Sequence, residues 1–386
     1  MRAAVLTGPN QLIVQDWPQP QPADGEVLIR VACTGVCGSD VPRVLQGRVW
    51  EFPLIVGHEF SGRIEAVGAG VSERLVGARV AGIPLVPCMQ CASCRQGDFS
   101  LCGSYSFIGS RRPGALAQYV CVPQQNVLVL DEAISDLEGA FLEPVSVAVH
   151  ALNLAGVTAQ ARVAVLGAGT VGLLTAQALK ARTPSRLALV NRSPGRLALA
   201  GELGVDHCFC MQDQDWLEAA LEHSSGCGGA GDAGGAGGAG GAGGAGGAGG
   251  AGGAGGIGTD SDTASGYDFV FDASGTATTL TAAFQLAAPK ATVCVIGTPA
   301  SELCFGAAQW ELLLRKELTI KGAWMSYSAP WPGSEWQTAA ELLRTGTVRI
   351  SDGMIAGLFK LEAAAQAFQV FAEPGGCGGK IVIDCR

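Results

Sequence analysis

The chain has 386 residues, of which 25 are basic and 34 acidic, so its formal net charge is −9. This length predicts about two domains, and a composition that is 48% hydrophobic and 15% charged excludes a chain that is disordered throughout. An acidic chain without basic clusters is not expected to bind nucleic acid, and the most apolar stretch, residues 163–179, is too interrupted to span a membrane.

Residues 1–150 are predicted to form a small, mostly β domain. Short apolar runs alternate with glycine and proline, which is typical of an antiparallel or barrel-like arrangement. The predicted strands are Glu26–Ala32, Gly62–Val67, Ala78–Pro87, Gln118–Val122 and Asn126–Val129.

From Arg162 onward the pattern changes to alternating apolar strands and helices. This alternation predicts βαβ units and a parallel sheet with right-handed crossovers. Ser193 is the predicted N-cap of one helix, and Pro194 suits its first helical position. In chain order the predicted elements are strand Val163–Leu166, helix Thr170–Ala181, strand Leu187–Val190, helix Gly195–Leu203, helix Asp213–Glu222, and strands Asp268–Phe271 and Ala291–Ile296.

A glycine-rich insert interrupts this second region. Residues 226–258 hold 21 of the 57 glycines, mainly in a Gly-Gly-Ala repeat over about residues 228–256. Glycine and alanine at this density cannot bury enough surface to become ordered, so we predict a disordered, solvated loop rather than an elastic or binding tract. The insert connects a helix to a strand, on the edge opposite to the one where open parallel sheets bind ligands.

The 14 cysteines suggest metal sites. The first residues, MRAAVLTGPN, carry no long apolar run of a secretory signal, so we expect a cytoplasmic protein. Disulfides are rare in that reducing compartment, where clustered cysteines more often bind metal.

Four cysteines have the spacing of a closed metal site: Cys88, Cys91, Cys94 and Cys102. Four thiolates can surround one tetrahedral ion, and an all-sulfur set favours structural Zn²⁺. Two disulfides or four small buried residues are the alternatives, and the regular spacing argues against both. We predict a structural-zinc lobe over about residues 86–104.

A glycine motif, residues 167–172 (GAGTVG), follows the first strand of the second region and opens a helix. The glycines permit a tight turn and let a pyrophosphate approach the helix N-terminus. A plain glycine-rich loop is the alternative, but the flanking strand and helix favour a dinucleotide site. Its predicted residues are Gly167, Gly169, Thr170, Val171 and Gly172.

Three scattered segments carry residues that suit a second, open zinc site. Cys37 lies in Cys-Gly-Ser-Asp, His58 and Glu59 lie in Gly-His-Glu, and Glu143 lies in the apolar run Phe-Leu-Glu-Pro. Each has an ordinary explanation, as a core cysteine, a satisfied histidine or a surface acid. Glu143 stands out because burying an unpaired carboxylate costs free energy. One cysteine, one histidine and one carboxylate are the ligands that an open zinc site needs.

The sequence Gly57-His58-Glu59-x2-Gly62-x5-Gly68-x2-Val71 resembles the zinc signature of the medium-chain alcohol and polyol dehydrogenases. The four-cysteine lobe and the glycine motif stand where that family has them, and only the Gly/Ala insert falls outside the resemblance. The resemblance implies an α/β fold, with a Rossmann parallel-sheet domain over residues 153–324. A mostly β, GroES-like catalytic domain is implied over residues 1–152 and 325–386.

The resemblance also implies roles at the open site. Cys37, His58 and Glu143 would hold a catalytic zinc and Glu59 would be able to enter its shell, so two zinc ions per chain are expected. Zinc would lower the pKa of the substrate alcohol, as it does that of bound water. NAD(P)⁺ would then accept the hydride.

The proton route departs from many relatives. Ser39 would pass the alcohol proton toward solvent, but the relay histidine that many relatives have five residues after the cysteine is Pro42 here. The proton must therefore leave through water or a ribose hydroxyl.

The choice between NAD⁺ and NADP⁺ depends on the residues that follow the second strand of the Rossmann region. An acidic residue about 20 positions past the glycine motif normally binds the adenosine ribose and repels a 2′-phosphate. The position 19 after Gly172 is Asn191, followed by Arg192. Asn191 can bond a ribose hydroxyl, whereas Arg192 either pairs with a phosphate or packs over the adenine. We expect NADP⁺ to be accepted.

Three segments resemble the polyol dehydrogenases within the family: Cys37–Arg43, Phe107–Arg112 and Trp324–Gly333. They imply oxidation of a polyol phosphate, galactitol 1-phosphate, to a keto-sugar phosphate. Arg111 and Arg112 would bind the phosphate, because guanidinium groups form paired, charge-assisted bonds with it. A solvated arginine beside a surface ion pair is the alternative for these two residues.

Other functions remain open at this point. An unphosphorylated polyol or L-threonine would suit the same chemistry, and a catalytically silent NAD(P)-binding protein would share the fold. We also expect a homo-oligomer, either a dimer or a tetramer.

Overall fold

The computed structural model describes residues 1–226, 265–299, 301–372 and 378–386. Beyond Gly226, the predicted Gly/Ala insert lies outside these described residues. Within the described ranges, no helix combines the length and the apolar character that crossing a membrane requires.

The first 155 residues form a β-rich domain with four helices. The single strand predicted over Ala78–Pro87 is wrong, because Pro84 has no N–H to donate to a ladder and divides the run in two. The strands are β1 Arg2–Leu6, β2 Leu12–Asp16, β3 Glu26–Val36, β4 Glu59–Val67, β5 Arg79–Gly82, β6 Leu85–Val86, β7 Ser106–Phe107, β8 Tyr119–Pro123 and β9 Val127–Val129. The helices are α1 Asp40–Gln46, α2 Ala92–Gln96, α3 Asp136–Ala140 and α4 Leu142–Ala155.

The following region alternates strands and helices as predicted. Its six strands form one parallel sheet in the order β12-β11-β10-β13-β14-β15, which is that of a Rossmann fold. The elements are β10 Arg162–Leu166, α5 Thr170–Lys180, β11 Arg186–Asn191, α6 Pro194–Glu202, β12 His207–Cys210, α7 Trp216–Ser225, β13 Tyr267–Asp272, α8 Ala277–Leu286, β14 Ala287–Val295, α9 Ala307–Arg315 and β15 Thr319–Gly322.

Two local details differ from the predictions. Ser193 occupies the N-cap position and Pro194 the first helical position, but the Ser193 side chain makes no capping hydrogen bond. The helix predicted from Asp213 begins at Trp216 and ends at Ser225.

The end of the chain returns to the first domain. Its elements are α10 Ser334–Arg344, β16 Ile355–Lys360, α11 Ala364–Gln369 and β17 Lys380–Asp384. Strand β17 pairs antiparallel with β3, which also pairs with β4 and β8, and the sheet order is β16-β17-β3-β4-β5-β9. The α/β fold class is therefore confirmed, and the last strand lies close to the end of β3 that leads to Cys37.

Helix α4 connects the two domains. It packs against α5 of the Rossmann region and against α10 of the C-terminal segment. Its buried residues join a core that extends from the four-cysteine lobe to the parallel sheet. The orientation of Glu143, in its first turn, is thereby tied to both domains.

Candidate active site and metal centres

The four cysteines of the lobe come together as predicted. Their Sγ atoms all lie within 4.8 Å of one another, and the sulfurs of Cys88 and Cys94 are 3.9 Å apart. A tetrahedral zinc with Zn–S bonds of about 2.3 Å places its sulfurs about 3.8 Å apart. Residues Cys88, Cys91, Cys94 and Cys102 therefore fit one zinc ion.

Local structure accounts for this convergence. Cys91 is the N-cap of α2, Cys94 lies inside that helix, and Gly97 ends it in the left-handed conformation. Backbone N–H groups lower the pKa of Cys88 to about 6, whereas burial and the neighbouring sulfurs raise that of Cys94 to about 12. Bound zinc would favour the thiolate form of every ligand.

The second group, here the Cys37 cluster, comprises Cys37, His58 and Glu59, with ligand atoms within 4.8 Å of one another. Cys37 follows β3, and Glu59 begins β4. Because these strands are antiparallel, the end of one meets the start of the other. A thiolate, an imidazole and a carboxylate are a donor set that suits an open zinc site.

His58 is oriented by residues around it. Its Nδ1 lies 3.4 Å from Asp40 Oδ2, and its ring meets Phe107 edge-on at 5.3 Å. This leaves Nε2 as the nitrogen available to a metal. Burial alone would raise the pKa of Asp40, but His58 and Arg43 together hold it below its usual value. An acceptor behind a metal-binding histidine fixes the tautomer and orientation of the ring.

Glu59 has a partner of its own. Both of its carboxylate oxygens accept from Lys380 Nζ, at 2.8 and 2.6 Å, and both residues are buried. Gly35 lies opposite Glu59 on β3, where a Cβ would overlap the Glu59 carboxylate. The absence of a side chain at Gly35 makes room for this carboxylate. Entry of Glu59 into a zinc shell would require it to share or leave Lys380.

Glu143 lies outside the three-residue group, in the first turn of α4. Burial, followed by the negative charge of Glu59, raises the pKa of Glu143 to about 7, although His58 opposes the shift. Glu143 is therefore within electrostatic range of Glu59 and His58, and a divalent cation bound there would favour its ionised form. Its role as a zinc ligand stays a prediction.

Ser39 lies beside the predicted cysteine ligand. Its hydroxyl donates to Cys37 Sγ at 3.4 Å and accepts from Arg43 Nη1 at 3.2 Å. Pro42 lies within α1 and has no side-chain donor or acceptor. The polar surroundings of Ser39 are therefore Cys37 and Arg43.

The glycine motif forms the turn between β10 and α5. Gly167 has a φ of +98°, a conformation that favours glycine. A Cβ on Gly172 would overlap the Gly167 carbonyl oxygen, whereas no atom lies within 4 Å of a Cβ built on Gly169. Gly169 is the N-cap of α5, and Thr170 and Val171 begin the helix. Backbone N–H groups at such a helix start suit a pyrophosphate.

Asn191 and Arg192 follow the neighbouring strand. Asn191 Oδ1 accepts from the backbone N–H of Ala168 at 3.2 Å, so Asn191 holds the glycine turn in place. Arg192 lines a cavity of about 440 Å³ together with Met211, Trp216 and Thr278. The cavity lies beyond the carboxyl end of β11, where doubly wound folds bind ligands.

Arg111 and Arg112 border a second cavity, of about 380 Å³, with Trp50 and Ser110 on its wall. The Arg111 guanidinium lies 3.8 Å from the ring centre of Tyr105 and 4.7 Å from that of Trp50. It also donates to the Tyr105 carbonyl at 2.7 Å.

Arg112 is engaged elsewhere. It pairs with Glu26 at 2.6 Å and donates to the Cys121 carbonyl. The backbone N–H groups of both arginines donate to the backbone carbonyl of Phe107, the residue that packs on His58. The loop is thus anchored next to the Cys37 cluster, with Arg111 and not Arg112 stacked on aromatic rings.

Sequence reasoning missed three residues of this site: Asp40, Arg43 and Lys380. Asp40 and Arg43 stand in the Cys37–Arg43 segment itself, and the helical spacing of three was a usable signal for their ion pair. Lys380 gave only a weak signal, as a charged residue that begins an apolar strand.

The sequence matches two family descriptions. Residues 23–132 match the alcohol dehydrogenase GroES-like domain, and residues 170–345 match the zinc-binding dehydrogenase domain. The chain is 32% identical to galactitol 1-phosphate 5-dehydrogenase of Escherichia coli K12 over 360 residues, 93% of this chain and 92% of that protein. It is 31% identical to D-xylulose reductase A of Aspergillus niger over 373 residues, covering 95% and 92%.

Solved structures agree with the sequence matches. The crystal structure of galactitol-1-phosphate dehydrogenase from E. coli superposes with a TM-score of 0.84 at 31% identity, and each chain is covered completely. A zinc-binding dehydrogenase from Sinorhizobium meliloti, crystallised with NADP, gives 0.79 at 26% identity and covers 99% of this chain and 98% of that one. Zinc and a nicotinamide dinucleotide, predicted from the sequence, are thus cofactors of the group that this chain resembles. The chain belongs to the zinc-binding alcohol and polyol dehydrogenase family.

Proposed function

We propose that this enzyme oxidises a secondary hydroxyl of a polyol phosphate, galactitol 1-phosphate, to a ketone with NAD(P)⁺. The observation that carries this proposal is the Cys37 cluster, which joins Cys37, His58 and Glu59 at the end of β3. The similarity to galactitol 1-phosphate 5-dehydrogenase over 93% of the chain supports the substrate.

We infer that Cys37, His58 and Glu143 hold the catalytic zinc and that Glu59 stands beside it as a further donor. When bound, zinc acts as a Lewis acid that makes the substrate hydroxyl more acidic. Asp40 holds the imidazole of His58, and Lys380 neutralises Glu59. These contacts fix the donor groups before the substrate arrives, which is how outer partners support a metal site.

The proton and the hydride have separate acceptors. The Ser39 hydroxyl lies next to Cys37 and accepts the alcohol proton, which then passes to water or a ribose hydroxyl because Pro42 cannot carry it. The turn from Gly167 to Gly172 would hold the pyrophosphate of a nicotinamide cofactor, which would supply the hydride acceptor.

The cavity beside Arg192 would take the adenosine end of the cofactor. The Asn191 side chain is a neutral amide whose oxygen accepts from Ala168. It therefore places no negative charge against a 2′-phosphate. Arg192 can form a charge-assisted pair with that phosphate. We therefore propose that the enzyme accepts NADP⁺ as well as NAD⁺.

The cavity beside Arg111 would take the substrate phosphate. Arg111, stacked between Tyr105 and Trp50, presents a guanidinium to this cavity with Ser110 next to it. Arg112, already paired with Glu26, adds positive charge and holds the loop.

A second candidate is the oxidation of an unphosphorylated polyol. The similarity to a D-xylulose reductase over 95% of the chain favours it, since that protein's name carries no phosphate. An aromatic wall such as Trp50 would suit the carbon chain of either substrate. L-threonine and a silent NAD(P)-binding role are less well supported, because neither explains an arginine stacked at the cavity.

An activity screen tests this proposal. Galactitol 1-phosphate, galactitol, sorbitol, xylitol and L-threonine are each assayed with NAD⁺ and with NADP⁺. Loss of one charge-assisted bond in Arg111→Met should raise the KM for the phosphorylated polyol about 10- to 100-fold and leave the free polyols nearly unchanged. Arg112→Met should raise the same KM less. Arg74→Met, at an exposed arginine, is the control. Equal losses with phosphorylated and free substrates would assign Arg111 to structure.

We further propose that two copies of the chain associate through the edge of the Rossmann sheet. In the described part of the chain β15 is the last strand of that sheet, and Ile320 on it is 42% exposed. Trp310 and Leu314, on neighbouring α9, are also exposed. An unpaired edge flanked by apolar residues suits strand pairing with an identical copy. Ile320→Lys should yield monomers in light scattering, and an unchanged oligomer would exclude this edge.

All twelve cysteines of the described residues are free. This fits a reducing compartment, and we propose a cytoplasmic enzyme.

A further inference from the structure

Arg43 lies one turn into α1, and its side chain reaches back over the start of that helix. Its Nη1 donates to Asp40 Oδ1 at 2.7 Å and to Ser39 Oγ at 3.2 Å. The Arg43 side chain is 19% exposed, whereas that of Asp40 is 1% exposed. One cation therefore joins the predicted proton acceptor to the residue behind His58.

The contact with Ser39 restricts its hydroxyl. A serine hydroxyl has one proton and two lone pairs. The proton points toward Cys37 Sγ, at 3.4 Å, and one lone pair accepts from Arg43. A single lone pair stays open to receive a hydrogen bond from a substrate alcohol.

The contact with Asp40 fixes the carboxylate in the same way. One oxygen accepts from Arg43 and the other faces His58 Nδ1 at 3.4 Å. A buried carboxylate without Arg43 would be free to turn about its last bond, and the His58 ring would lose its fixed partner. Arg43 thus acts on both sides of the Cys37 cluster without touching it.

We propose that Arg43 is a positioning residue for proton removal from the substrate, holding the Ser39 hydroxyl and the Asp40 carboxylate in the orientations that the reaction needs. The inference rests on the proposed function. In the step itself, the alcohol O–H bond breaks as its proton passes to Ser39 Oγ. The Ser39 hydroxyl turns from Cys37 Sγ toward a water molecule and gives that water its own proton, while Arg43 keeps the oxygen in place. Arg43 keeps all its protons throughout, because a guanidinium does not deprotonate in proteins.

The test compares Arg43→Gln, Arg43→Lys and wild type as zinc-loaded enzymes. Loss of a charge-assisted bond should lower kcat of Arg43→Gln about 10- to 100-fold, with KM for substrate within about threefold. The solvent deuterium isotope effect on kcat should increase, because proton removal becomes slower than the other steps. Arg43→Lys should recover part of the lost kcat. In a further variant, Arg43→Ala, guanidinium chloride added at millimolar concentration should restore part of kcat.

The absorption spectrum of the metal site, which does not depend on turnover, is measured alongside the kinetics. Replacing zinc by Co²⁺ makes the site visible in absorption, and Arg43→Gln should shift the bands because the His58 ring is no longer held. Arg48→Gln, at an exposed arginine just after the same helix, is the matched control and should match wild type in every measurement. Circular dichroism confirms that each variant is folded.

Wild-type kcat and an unchanged Co²⁺ spectrum in folded Arg43→Gln would overturn the inference. So would a loss confined to the KM of phosphorylated substrates, which would make Arg43 a substrate contact. If the proposed function itself is wrong, a different variant shows it: Cys37→Ser would then retain the metal content and activity of wild type.

Discussion

The two metal centres are built in opposite ways. The lobe draws Cys88, Cys91, Cys94 and Cys102 from one short stretch that contains the short helix α2 and a 3-10 turn. The Cys37 cluster draws Cys37 from just after β3, His58 from just before β4 and Glu59 from the first position of β4. The four-cysteine lobe can therefore form from one local segment, whereas the Cys37 cluster forms only when β3 and β4 are paired in the sheet.

Their surroundings differ as well. The lobe offers four sulfur atoms and no further donor, so a tetrahedral zinc would be closed to substrate. The Cys37 cluster is surrounded by charged partners, Asp40 behind His58 and Lys380 against Glu59. Closed sulfur sites stabilise structure and open mixed sites perform chemistry, and the following predictions test that division.

The largest expected effect is on turnover in Cys37→Ser. Loss of a zinc thiolate should lower kcat/KM about 10³-fold or more, because the Lewis acid supplies several kcal/mol of transition-state stabilisation. The melting temperature should change by less than about 3 °C. Cys208→Ser, at a half-buried cysteine outside both centres, is the control. A variant with wild-type kcat/KM would remove Cys37 from the chemistry.

The next effect is on stability in Lys380→Met. The substitution leaves Glu59 as a buried carboxylate without its partner, and breaking such a pair typically costs about 3–5 kcal/mol of unfolding free energy. Lys290→Met, which breaks an exposed pair with Glu317, is the control and should cost far less, because exposed ion pairs contribute little to stability. Denaturant unfolding measures both. Equal costs would mean that Glu59 does not depend on Lys380.

Cys91→Ser should lower stability and leave turnover nearly unchanged, the opposite of what is expected for Cys37→Ser. Opening the lobe removes a structural zinc and should lower the melting temperature by about 5–10 °C. The enzyme that remains folded should keep kcat within about threefold of wild type, since the lobe supplies no reacting group. Calorimetry and steady-state kinetics measure the two quantities. A large loss of kcat in folded protein would contradict the division between the centres.

The smallest effect concerns the residue behind His58. Asp40→Asn should weaken zinc binding at the Cys37 cluster about 10- to 100-fold, as expected for loss of an outer partner of a metal-binding histidine. Competition with a chelator measures the affinity. Asp98→Asn, on the surface of the lobe, should leave both affinities unchanged. If the two variants behave alike, Asp40 does not orient His58.

The sequence predicted best those sites whose residues lie within one short stretch of the chain. The lobe and the turn from Gly167 to Gly172 each lie within a short stretch, so their spacing carries the geometry. The parallel sheet followed from the alternation of strands and helices, and the resemblance to a family implied that it is a Rossmann sheet. Cys37, His58 and Glu59 could be named because their short motifs resemble a family, but their convergence needed the fold.

What the sequence could not supply is pairing between distant positions. Lys380 is 321 residues from Glu59, and only the antiparallel pairing of the last strand with β3 brings it there. Arg112 meets Glu26 across 86 residues, so its engagement was not visible in a loop of adjacent arginines. Asn191 was assigned to a ribose, yet its side chain also holds the backbone of Ala168.

The central claim is that the chain carries two independent zinc centres and that the one at Cys37 performs the chemistry. Metal analysis of wild type, Cys37→Ser and Cys91→Ser, purified in parallel, tests it most directly. The account predicts about two zinc ions per wild-type chain and about one in each variant, with activity lost in Cys37→Ser and kept in folded Cys91→Ser. A wild-type chain with one zinc ion that Cys37→Ser retains would contradict it.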